Sequence, residues 1–455
     1  MSGLRADHTA RRRPELLSPA GSPRHLRYAF AYGADAVYAG LPRYSLRVRQ
    51  NDFDTAALVA GIAEAHAQDK RFYLTVNLMP HGSKLRTFLA DLAPIIACQP
   101  DALIMADPGL ILLVREHWPE QPIHLSVQAN TVNAAAVRFW AGQGISRVIL
   151  SRELALAEIA EIRAACPDIE LEVFVHGALC IAYSGRCLLS GYFNHRDANQ
   201  GSCTNSCRWS YRLGEVVSVM SDESVMSRHT DADTVYLLEE SKRPGEYMPI
   251  FEDEQGTYLL NSRDLCAVAH VGQLVALGID SLKIEGRTKS HYYAARTAQV
   301  YRAAIDDAVA GRAFRPELLD ALEGLANRGY TEGFYRRHVP GALQNYADGA
   351  SRNQRRIFVG EVTGCTRHHA SAIWLELAVK NRFTVGDELE WMTPSGNRCF
   401  HLEQMQTLDG EKLMVAPGDG WQVRVLVSGV LDDDQHQHLA LGLISRVLDD
   451  PDSIA

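Results

Sequence analysis

Short apolar runs alternate with amphipathic, helix-length segments from residue 14 to about residue 310, and this alternation restricts the fold more than any other feature. The fourth and sixth runs, ALIMAD and RVILS, are continuously apolar, as buried parallel strands are. Helix starts are marked by Ser22-Pro23, Asp107-Pro108 and Ser290, where a capping side chain or an N-terminal proline suits the open N–H groups. The eight predicted strands are Glu15–Pro19, Ala34–Ala39, Arg71–Asn77, Ala102–Asp107, Ile123–Gln128, Ser146–Ser151, Leu171–His176 and Ser281–Glu285.

Eight strand–helix units in a segment of this length are the repeat of a TIM barrel. The pattern therefore predicts an α/β fold with a TIM-like (β/α)8 barrel. A doubly wound sheet is the alternative, and it is disfavoured because no Gly-rich dinucleotide turn follows any strand.

A long insertion, about residues 178–262, interrupts the repeat after the seventh predicted strand. It holds a cysteine cluster and a polar stretch, Ser221–Asp233, which predicts a mobile loop. A helix is predicted at about 263–278, directly after the insertion. Loops that follow the strands of a TIM barrel form its catalytic face, so the insertion belongs to that face.

A second domain is predicted after the barrel. From residue 358 the runs FVGEVTG, AIWLELAV, GDELEWM, LMVAP and QVRVLV read as short strands at regular spacing, which is typical of a small β-barrel. The predicted organisation is a basic N-terminal tail over 1–13, the barrel over 14–310, a helical linker over 311–356 and a C-terminal β-barrel domain over 357–455.

Four of the 9 cysteines lie within 28 residues, in the spacing C-x6-C-x15-C-x3-C. They are Cys180, Cys187, Cys203 and Cys207. Clustered thiols in a chain without an export signal favour metal binding over disulfides. Structural zinc sites usually contain close C-x2-C pairs, whereas a [4Fe–4S] cluster needs four thiolates and tolerates a looser spacing. The spacing favours an iron–sulfur cluster, with zinc binding and separate free thiols as alternatives. Cys266, on the predicted helix after the insertion, is a fifth thiol within possible reach.

Polar residues at the predicted strand ends form a second group, because these ends converge on one mouth of a barrel. The group predicts a site for a polar, anionic ligand, with Lys283 and Arg287 as carboxylate or phosphate partners. Lys283 and Glu285 should both point into the barrel, and a rim ion pair between Glu285 and Arg287 is the structural alternative. Asp107 belongs to the group as well. The candidate catalytic residues are His176, Glu285 and Gln128, and the candidate substrate-binding residues are Lys283, Arg287, Asn77 and Asn130.

The net charge of −9 gives the chain no overall basic field, so any contact with nucleic acid must come from local patches. Ordinary solvated surface charge would equally explain each patch. The candidate patches are Arg11, Arg12 and Arg13; Arg43, Arg47 and Arg49; Arg336 and Arg337; and Arg352, Arg355 and Arg356.

No signal or membrane segment is predicted. The basic N-terminus is not followed by an apolar region, and apolar runs such as PGLILLV are far shorter than the roughly 18 residues that span a bilayer. We therefore expect a soluble, cytoplasmic protein with no membrane partner. The sequence also lacks the H-E-x-x-H and G-x-S-x-G motifs of zinc peptidases and serine hydrolases.

Seven motifs together resemble the collagenase-like peptidase family, in its tRNA-modifying branch, over about residues 14–350 and more weakly beyond. They are PELLSPAG, YGADAVYAG, HLSVQAN, HGALCIAYSGRCLLSGY, GSCTNSCRW, SLKIEGR and RGYTEGF. The resemblance implies an oxygen-independent hydroxylase that converts wobble uridine of certain tRNAs to 5-hydroxyuridine. It also implies prephenate as the small-molecule oxygen donor, an electron donor of unknown identity, and a [4Fe–4S] cluster.

Carried over residue by residue, the resemblance makes Cys180, Cys187, Cys203 and Cys207 the cluster ligands. In ubiquinone-pathway relatives one of these positions is replaced by a cysteine from elsewhere, so Cys266 could stand in for Cys207. Relatives that act on ribosomal RNA or on ubiquinone precursors show that the fold alone does not fix the substrate. The other hypotheses are a peptidase, which the missing protease motifs disfavour, and a non-catalytic RNA-binding protein with a structural zinc.

Overall fold

Eight parallel strands close into a barrel in a computed structural model of the 455-residue chain. The structure describes residues 12–46, 52–179, 190, 204, 211–215, 236–240, 247–250, 263–327, 329–336, 355–369, 372–428 and 441–448. The strands up to residue 331 are β1 (Glu15–Pro19), β2 (Ala36–Gly40), β3 (Arg71–Val76), β4 (Ala102–Met105), β5 (Ile123–Leu125), β6 (Arg147–Ile149), β7 (Glu170–Ala178), β8 (Tyr211–Glu215), β9 (Tyr236–Glu240), β10 (Tyr247–Ile250), β11 (Asp264–Cys266), β12 (Ser281–Ile284) and β13 (Tyr330–Thr331).

The barrel consists of β1 to β7 and β12, and it closes because β12 pairs in parallel with both β1 and β7. All eight predicted strands are present, so the prediction of a TIM-like barrel is confirmed. The strands alternate with helices whose N-termini lie at the carboxyl ends of the strands. The helices are α1 (Pro23–Ala31), α2 (Thr55–His66), α3 (Gly82–Ile96), α4 (Pro108–His117), α5 (Ala134–Gly142), α6 (Leu156–Ala165), α7 (Val271–Ala276), α8 (His291–Val309) and α9 (Glu317–Glu323).

Side-chain caps fix three of the helix starts that the sequence predicts. Ser22, Asp107 and Ser290 each accept a backbone N–H from the third residue after them, at 3.4, 2.9 and 3.2 Å. These bonds satisfy donors that the first helical turn leaves open. Asp107 therefore serves α4 as its cap. None of the described helices is long and apolar enough to cross a membrane.

Ion pairs cover the amino-terminal end of the barrel, opposite the mouth. Arg12 lies 3.0 Å from the Asp280 carboxylate, and Arg163 lies 2.9 Å from the other oxygen of Asp280. Arg13 lies 3.7 Å from Asp35. The last residues of the basic tail are therefore in contact with the barrel.

The insertion contributes a separate three-stranded antiparallel sheet, ordered β10-β9-β8, which the sequence did not predict. The four clustered cysteines and Ser221–Asp233 lie outside the described residues. Past the insertion, β11 pairs antiparallel with the long β7, whose carboxyl half extends beyond its barrel neighbours. Cys266 consequently lies on a strand and not on the predicted helix, and α7 covers only 271–276.

The C-terminal region is a separate antiparallel β domain, as predicted. Its core is built from its own apolar side chains, among them Leu375, Trp391 and Val425. The strands are β14 (Arg356–His369), β15 (Ala372–Val379), β16 (Phe383–Thr384), β17 (Glu388–Thr393), β18 (Gly396–His401), β19 (Met405–Thr407), β20 (Lys412–Leu413), β21 (Val415–Ala416), β22 (Gln422–Ser428) and β23 (Leu443–Val447). The main sheet has the order β18-β17-β23-β14-β15-β22-β19-β20, and β16 pairs with β21.

The β domain packs along α1 and α8 of the barrel through buried polar contacts. Arg296 of α8 forms a salt bridge with Glu390 of β17, and Arg356 lies 3.1 Å from the same carboxylate. Nearby, the Tyr32 hydroxyl lies within hydrogen-bond distance of the carbonyl oxygens of Met392 and Leu441, at 3.0 and 2.8 Å. These contacts join the two parts of the protein on one side of the barrel.

Candidate functional site

Lys283 points into the barrel from β12, as the alternation of side chains predicts. Its Nζ lies 2.9 Å from Glu172 Oε1 and 4.4 and 5.4 Å from the ring centres of Tyr38 and Phe174. The residue is only 3% exposed. Burial lowers the pKa of Lys283, and the carboxylate of Glu172 opposes that shift. The geometry holds an ammonium group directly below the mouth, flanked by two aromatic faces.

A chain of buried charges continues from Glu172 to the amino-terminal end of the barrel. Arg147 Nη1 lies 3.2 Å from Glu172 and 2.6 Å from Glu15, and Tyr73 donates its hydroxyl to Glu15 at 2.6 Å. Burial raises the pKa of Glu15, but the Arg147 guanidinium outweighs this effect and the pKa is lowered overall. Alternating positive and negative groups therefore run through the barrel interior and fix Glu172 below Lys283.

Arg287 and Asn77 both form hydrogen bonds with the backbone of Leu46 at the mouth. Arg287 Nη2 donates to the Leu46 carbonyl at 2.8 Å, and Asn77 Oδ1 accepts the Leu46 N–H at 3.1 Å. The Asn77 amide also lies 3.5 Å from Ser126 Oγ, which accepts the N–H of Gln128 at 3.4 Å. Three predicted site residues thus lie along one arc of the mouth.

Gly40 leaves room for the Arg287 side chain. A Cβ at position 40 would lie 2.6 Å from Arg287 Nη1 and 2.3 Å from Ser45 Oγ. The guanidinium carbon lies 5.7 Å from the ring centre of Tyr38, the ring that also faces Lys283. Arg287 therefore approaches Tyr38 from the mouth, and Lys283 approaches it from the barrel interior.

Among the described residues, Glu285 forms its ion pair with Arg152, at 3.6 Å, and not with Arg287. The Arg152 guanidinium lies 3.9 Å from the ring centre of Phe174, and Nη1 donates to the carbonyl of Ala178 at 3.1 Å. Arg152 thereby connects Glu285 with the last residue of β7. The cysteine-bearing insertion begins just after Ala178, so the chain enters the insertion at the mouth.

Asn130 lies beside Gln128 at the end of the short helical turn Val127–Ala129. Its backbone adopts the left-handed conformation, with φ 51°, and its Oδ1 lies 2.9 Å from Ser151 Oγ. Asparagine tolerates this conformation better than most residues. The turn directs the Asn130 side chain toward Ser151, just after β6. Asn130 and Gln128 both lie at the mouth.

His176 does not face the mouth, contrary to its predicted placement with the other strand-end residues. The pairing of β7 with β12 shifts by one residue between Lys283 and Ile284, and such a shift turns a side chain to the other face. His176 consequently packs among Tyr293, Tyr301 and Tyr330, with ring centres 5.3 to 5.7 Å away.

The His176 environment favours an uncharged imidazole. The residue is 1% exposed, and burial lowers the pKa of His176 to about 3. Cys266 sits next to it on β11, with Sγ 4.0 Å from the Tyr301 hydroxyl. Burial raises the pKa of the Cys266 thiol to about 12, which favours the thiol over the thiolate that binds metals.

Two charged residues at the centre of the site, Glu172 and Arg152, were missed in the sequence. Glu172 interrupts the apolar run LEVFV. A single acidic residue in a buried strand needs a cationic partner, and this is the signal that could have identified it. Arg152 follows the sixth strand, at the same kind of strand-end position as the predicted residues. Within the described part of the chain, no three His, Cys, Asp or Glu side chains are grouped as a metal site.

The candidate RNA-binding patches form ion pairs wherever the structure describes them. Arg43 lies 2.9 Å from Asp91, Arg336 lies 2.9 Å from Glu332, and Arg355 lies 3.0 Å from Asp320. Arg12, Arg13 and Arg356 are likewise paired, as described above. Surface pairing therefore explains these arginines. Arg11, Arg47, Arg49, Arg337 and Arg352 lie outside the described residues.

Comparison with known proteins gives consistent matches along the chain. Residues 21–345 match the model of peptidase family U32, and residues 354–435 match that of the peptidase family U32 C-terminal domain. The chain is 59% identical over 425 residues to tRNA hydroxylation protein P of Escherichia coli (strain K12), covering 90% of this chain and 93% of that protein. It is 57% identical over 429 residues to tRNA hydroxylation protein P of Haemophilus influenzae, with the same coverage. Among solved structures, the U32 peptidase Mk0906 matches with a TM-score of 0.36 and 14% identity, over 60% of this chain and 93% of that one.

Proposed function

Since the chain belongs to peptidase family U32, and similar members are named for tRNA hydroxylation, we propose that it is a tRNA hydroxylase. Membership in the family confirms the resemblance found in the sequence. The observation that carries the proposal is the 59% identity to tRNA hydroxylation protein P over 90% of the chain. The proposed reaction is the oxygen-independent conversion of wobble uridine to 5-hydroxyuridine, in the cytoplasm.

The chemistry of the mouth supports this reaction. Lys283, Arg152 and Arg287 bring three cations to one end of the barrel, against the carboxylates of Glu172 and Glu285. This excess of positive charge suits a small anionic co-substrate, and we propose prephenate as the oxygen donor. A guanidinium such as that of Arg287 can bind a carboxylate through two parallel hydrogen bonds. The amides of Asn77, Gln128 and Asn130 offer both donors and acceptors for a uracil ring.

We further propose that Cys180, Cys187, Cys203 and Cys207 bind a [4Fe–4S] cluster, which receives electrons from a donor of unknown identity. The support comes from the number and spacing of the thiols and from the departure of their segment at the mouth, after Ala178. The cluster would supply electron transfer or polarise the oxygen donor. Iron analysis of anaerobically purified protein tests it: about four irons per chain support the assignment, and zinc or no metal contradicts it.

Nucleoside mass spectrometry tests the function. A strain that lacks the gene should contain no 5-hydroxyuridine in its tRNA, and expression of the full chain should restore it. Cleavage of peptides by the purified protein, together with unchanged 5-hydroxyuridine in the deletion strain, would establish the peptidase alternative. An altered modification of ribosomal RNA, or an altered ubiquinone pool, with normal tRNA would show that the substrate is different.

A further inference from the structure

We propose that the tRNA lies across a surface where the barrel mouth meets the C-terminal domain, and that Trp421 stacks on an unpaired base. We call this the junction surface and define it by Lys289, Lys380, Arg382 and Trp421; Arg24, also at this place, is left out because it is paired with Glu361. The inference rests on the proposed function, since it concerns the same RNA, but it assigns a contact area outside the barrel.

The barrel side of the junction surface begins at the loop after β12. His25 lies at the start of α1, and its Nε2 is 2.8 Å from the backbone oxygen of Lys289. The ring of His291, at the start of α8, lies 5.7 Å from the ring of Phe358 in β14. Because these helices start at the mouth side of the barrel, the contact places the first residues of the β domain beside the mouth.

The β domain continues the surface through the turn that follows β15. Lys380 donates its backbone N–H to Val359 at 2.8 Å, and the Asn381 amide donates to Phe358 at 2.7 Å. The turn is therefore held next to the residue that contacts α8. Lys380 lies 3.0 Å from exposed Asp419, and exposed Arg382 has no salt-bridge partner in the part of the chain that the structure describes.

Trp421 extends the junction surface from the position directly before β22, the strand that pairs with β15. Its carbonyl accepts the N–H of Val379 at 2.9 Å, which fixes its position beside the Lys380 turn. The residue is 45% exposed, an unusual exposure for so large an aromatic side chain. An exposed aromatic residue therefore lies next to the turn that carries Lys380 and Arg382.

An aromatic face beside cations is the combination that binds unpaired RNA, through base stacking and phosphate contacts. Double-stranded nucleic acid cannot enter a barrel mouth, so an enzyme that modifies a base takes it out of its stack. When one base of a tRNA loop enters the mouth, the neighbouring nucleotides stay outside. The junction surface is positioned to receive them.

Binding of deacylated bulk tRNA to the full-length protein, followed by fluorescence anisotropy, tests the inference. Trp421→Ala should weaken binding roughly tenfold, since loss of one base stack has about this effect. Lys380→Ala combined with Arg382→Ala should also lower the slope of log affinity against log salt by about one to two. Phe139→Ala is the matched control, because Phe139 is 59% exposed on α5 and far along the chain from the junction.

The outcomes separate the two proposals. Weaker binding for Trp421→Ala with wild-type binding for Phe139→Ala supports the junction surface. Wild-type affinity for Trp421→Ala, with tRNA bound tightly by the parent protein, overturns the surface and leaves the proposed function standing. Failure of the parent protein to bind any tRNA overturns both. Equal weakening by both variants would show a general effect of removing exposed aromatic residues and would overturn the specific role of Trp421.

Discussion

At the residue scale, Glu172 stabilises the buried positive charge of Lys283. An isolated ammonium in an apolar interior would lose its proton or admit water, because the cost of desolvation is several kcal/mol. The 2.9 Å contact with Glu172 offsets that cost, and Arg147 holds Glu172 from the other side. The pair thus keeps a cation available directly below the mouth.

Glu172→Gln should therefore destabilise the protein by about 3–5 kcal/mol, the usual cost of removing one partner of a buried ion pair. Urea denaturation measures it. Glu64→Gln is the control, because Glu64 pairs with Arg27 at 2.8 Å on the surface, where such a pair contributes about 1 kcal/mol or less. Equal stability of the Glu172 and Glu64 variants would show that the interior charges do not depend on each other.

At the element scale, the end of β7 and the end of β12 approach so closely that only glycine fits between them. Gly177 has φ +103°, and a Cβ there would lie 2.3 Å from the Glu285 carbonyl oxygen. On its other side this carbonyl accepts the Tyr293 hydroxyl at 2.7 Å. The position of Glu285 and Arg287 at the mouth depends on this close contact.

Gly177→Ala should cost at least about 2 kcal/mol, from a positive φ together with a collision against backbone. Gly386 is a matched control: it has φ +99° and nothing within 4 Å of an added Cβ, so Gly386→Ala carries the backbone strain alone. Thermal unfolding of the two variants measures the difference. If both lose the same stability, the contact with Glu285 is unimportant.

The elements also show how far the sequence predicts this protein. The eight barrel strands were predictable because each buried strand is a run of apolar residues flanked by turn signals. Strand β11, Asp264–Cys266, was missed because its residues were assigned to the helix predicted at about 263–278. The orientation of His176 was missed because one shift in strand pairing reverses the face of a side chain, and this shift leaves no mark in the sequence. The inward position of Lys283, by contrast, follows from simple alternation.

At the scale of the whole molecule, a buried ion pair joins the two domains. Arg296 is 1% exposed and bridges to Glu390, which also accepts from Ser445 and Asn397 at 3.1 and 3.0 Å. Burial raises the pKa of Glu390, but Arg296 and Arg356 outweigh it, so the pKa lies below its ordinary value. A truncation before the β domain would leave Arg296 without this partner, so point variants are the better test of what the domain does.

Glu390→Gln should destabilise the docked β domain by about 3 kcal/mol at neutral pH. Because the folded-state pKa is lowered, the carboxylate contributes stability above its unfolded pKa, and this is lost as pH falls through the folded pKa. The difference between parent and variant should therefore shrink below about pH 4.5. Amide hydrogen exchange at β17 and α8 measures it. Glu376→Gln, which breaks a half-exposed pair with Arg424, is the control. A difference that grows in acid would contradict the ionised state of Glu390.

Arg287 tests most directly the proposal that the barrel mouth hydroxylates tRNA. A charge-assisted contact to a carboxylate typically contributes about 1.5–3 kcal/mol, so Arg287→Ala should weaken donor binding roughly 10- to 150-fold. The measurement is the fraction of 5-hydroxyuridine in tRNA from a deletion strain that expresses each variant at equal protein level. Arg163→Ala, at the opposite end of the barrel, is the control. We predict at least a tenfold loss for Arg287→Ala and near-parent levels for Arg163→Ala. Parent levels of 5-hydroxyuridine in the Arg287 variant would contradict the account.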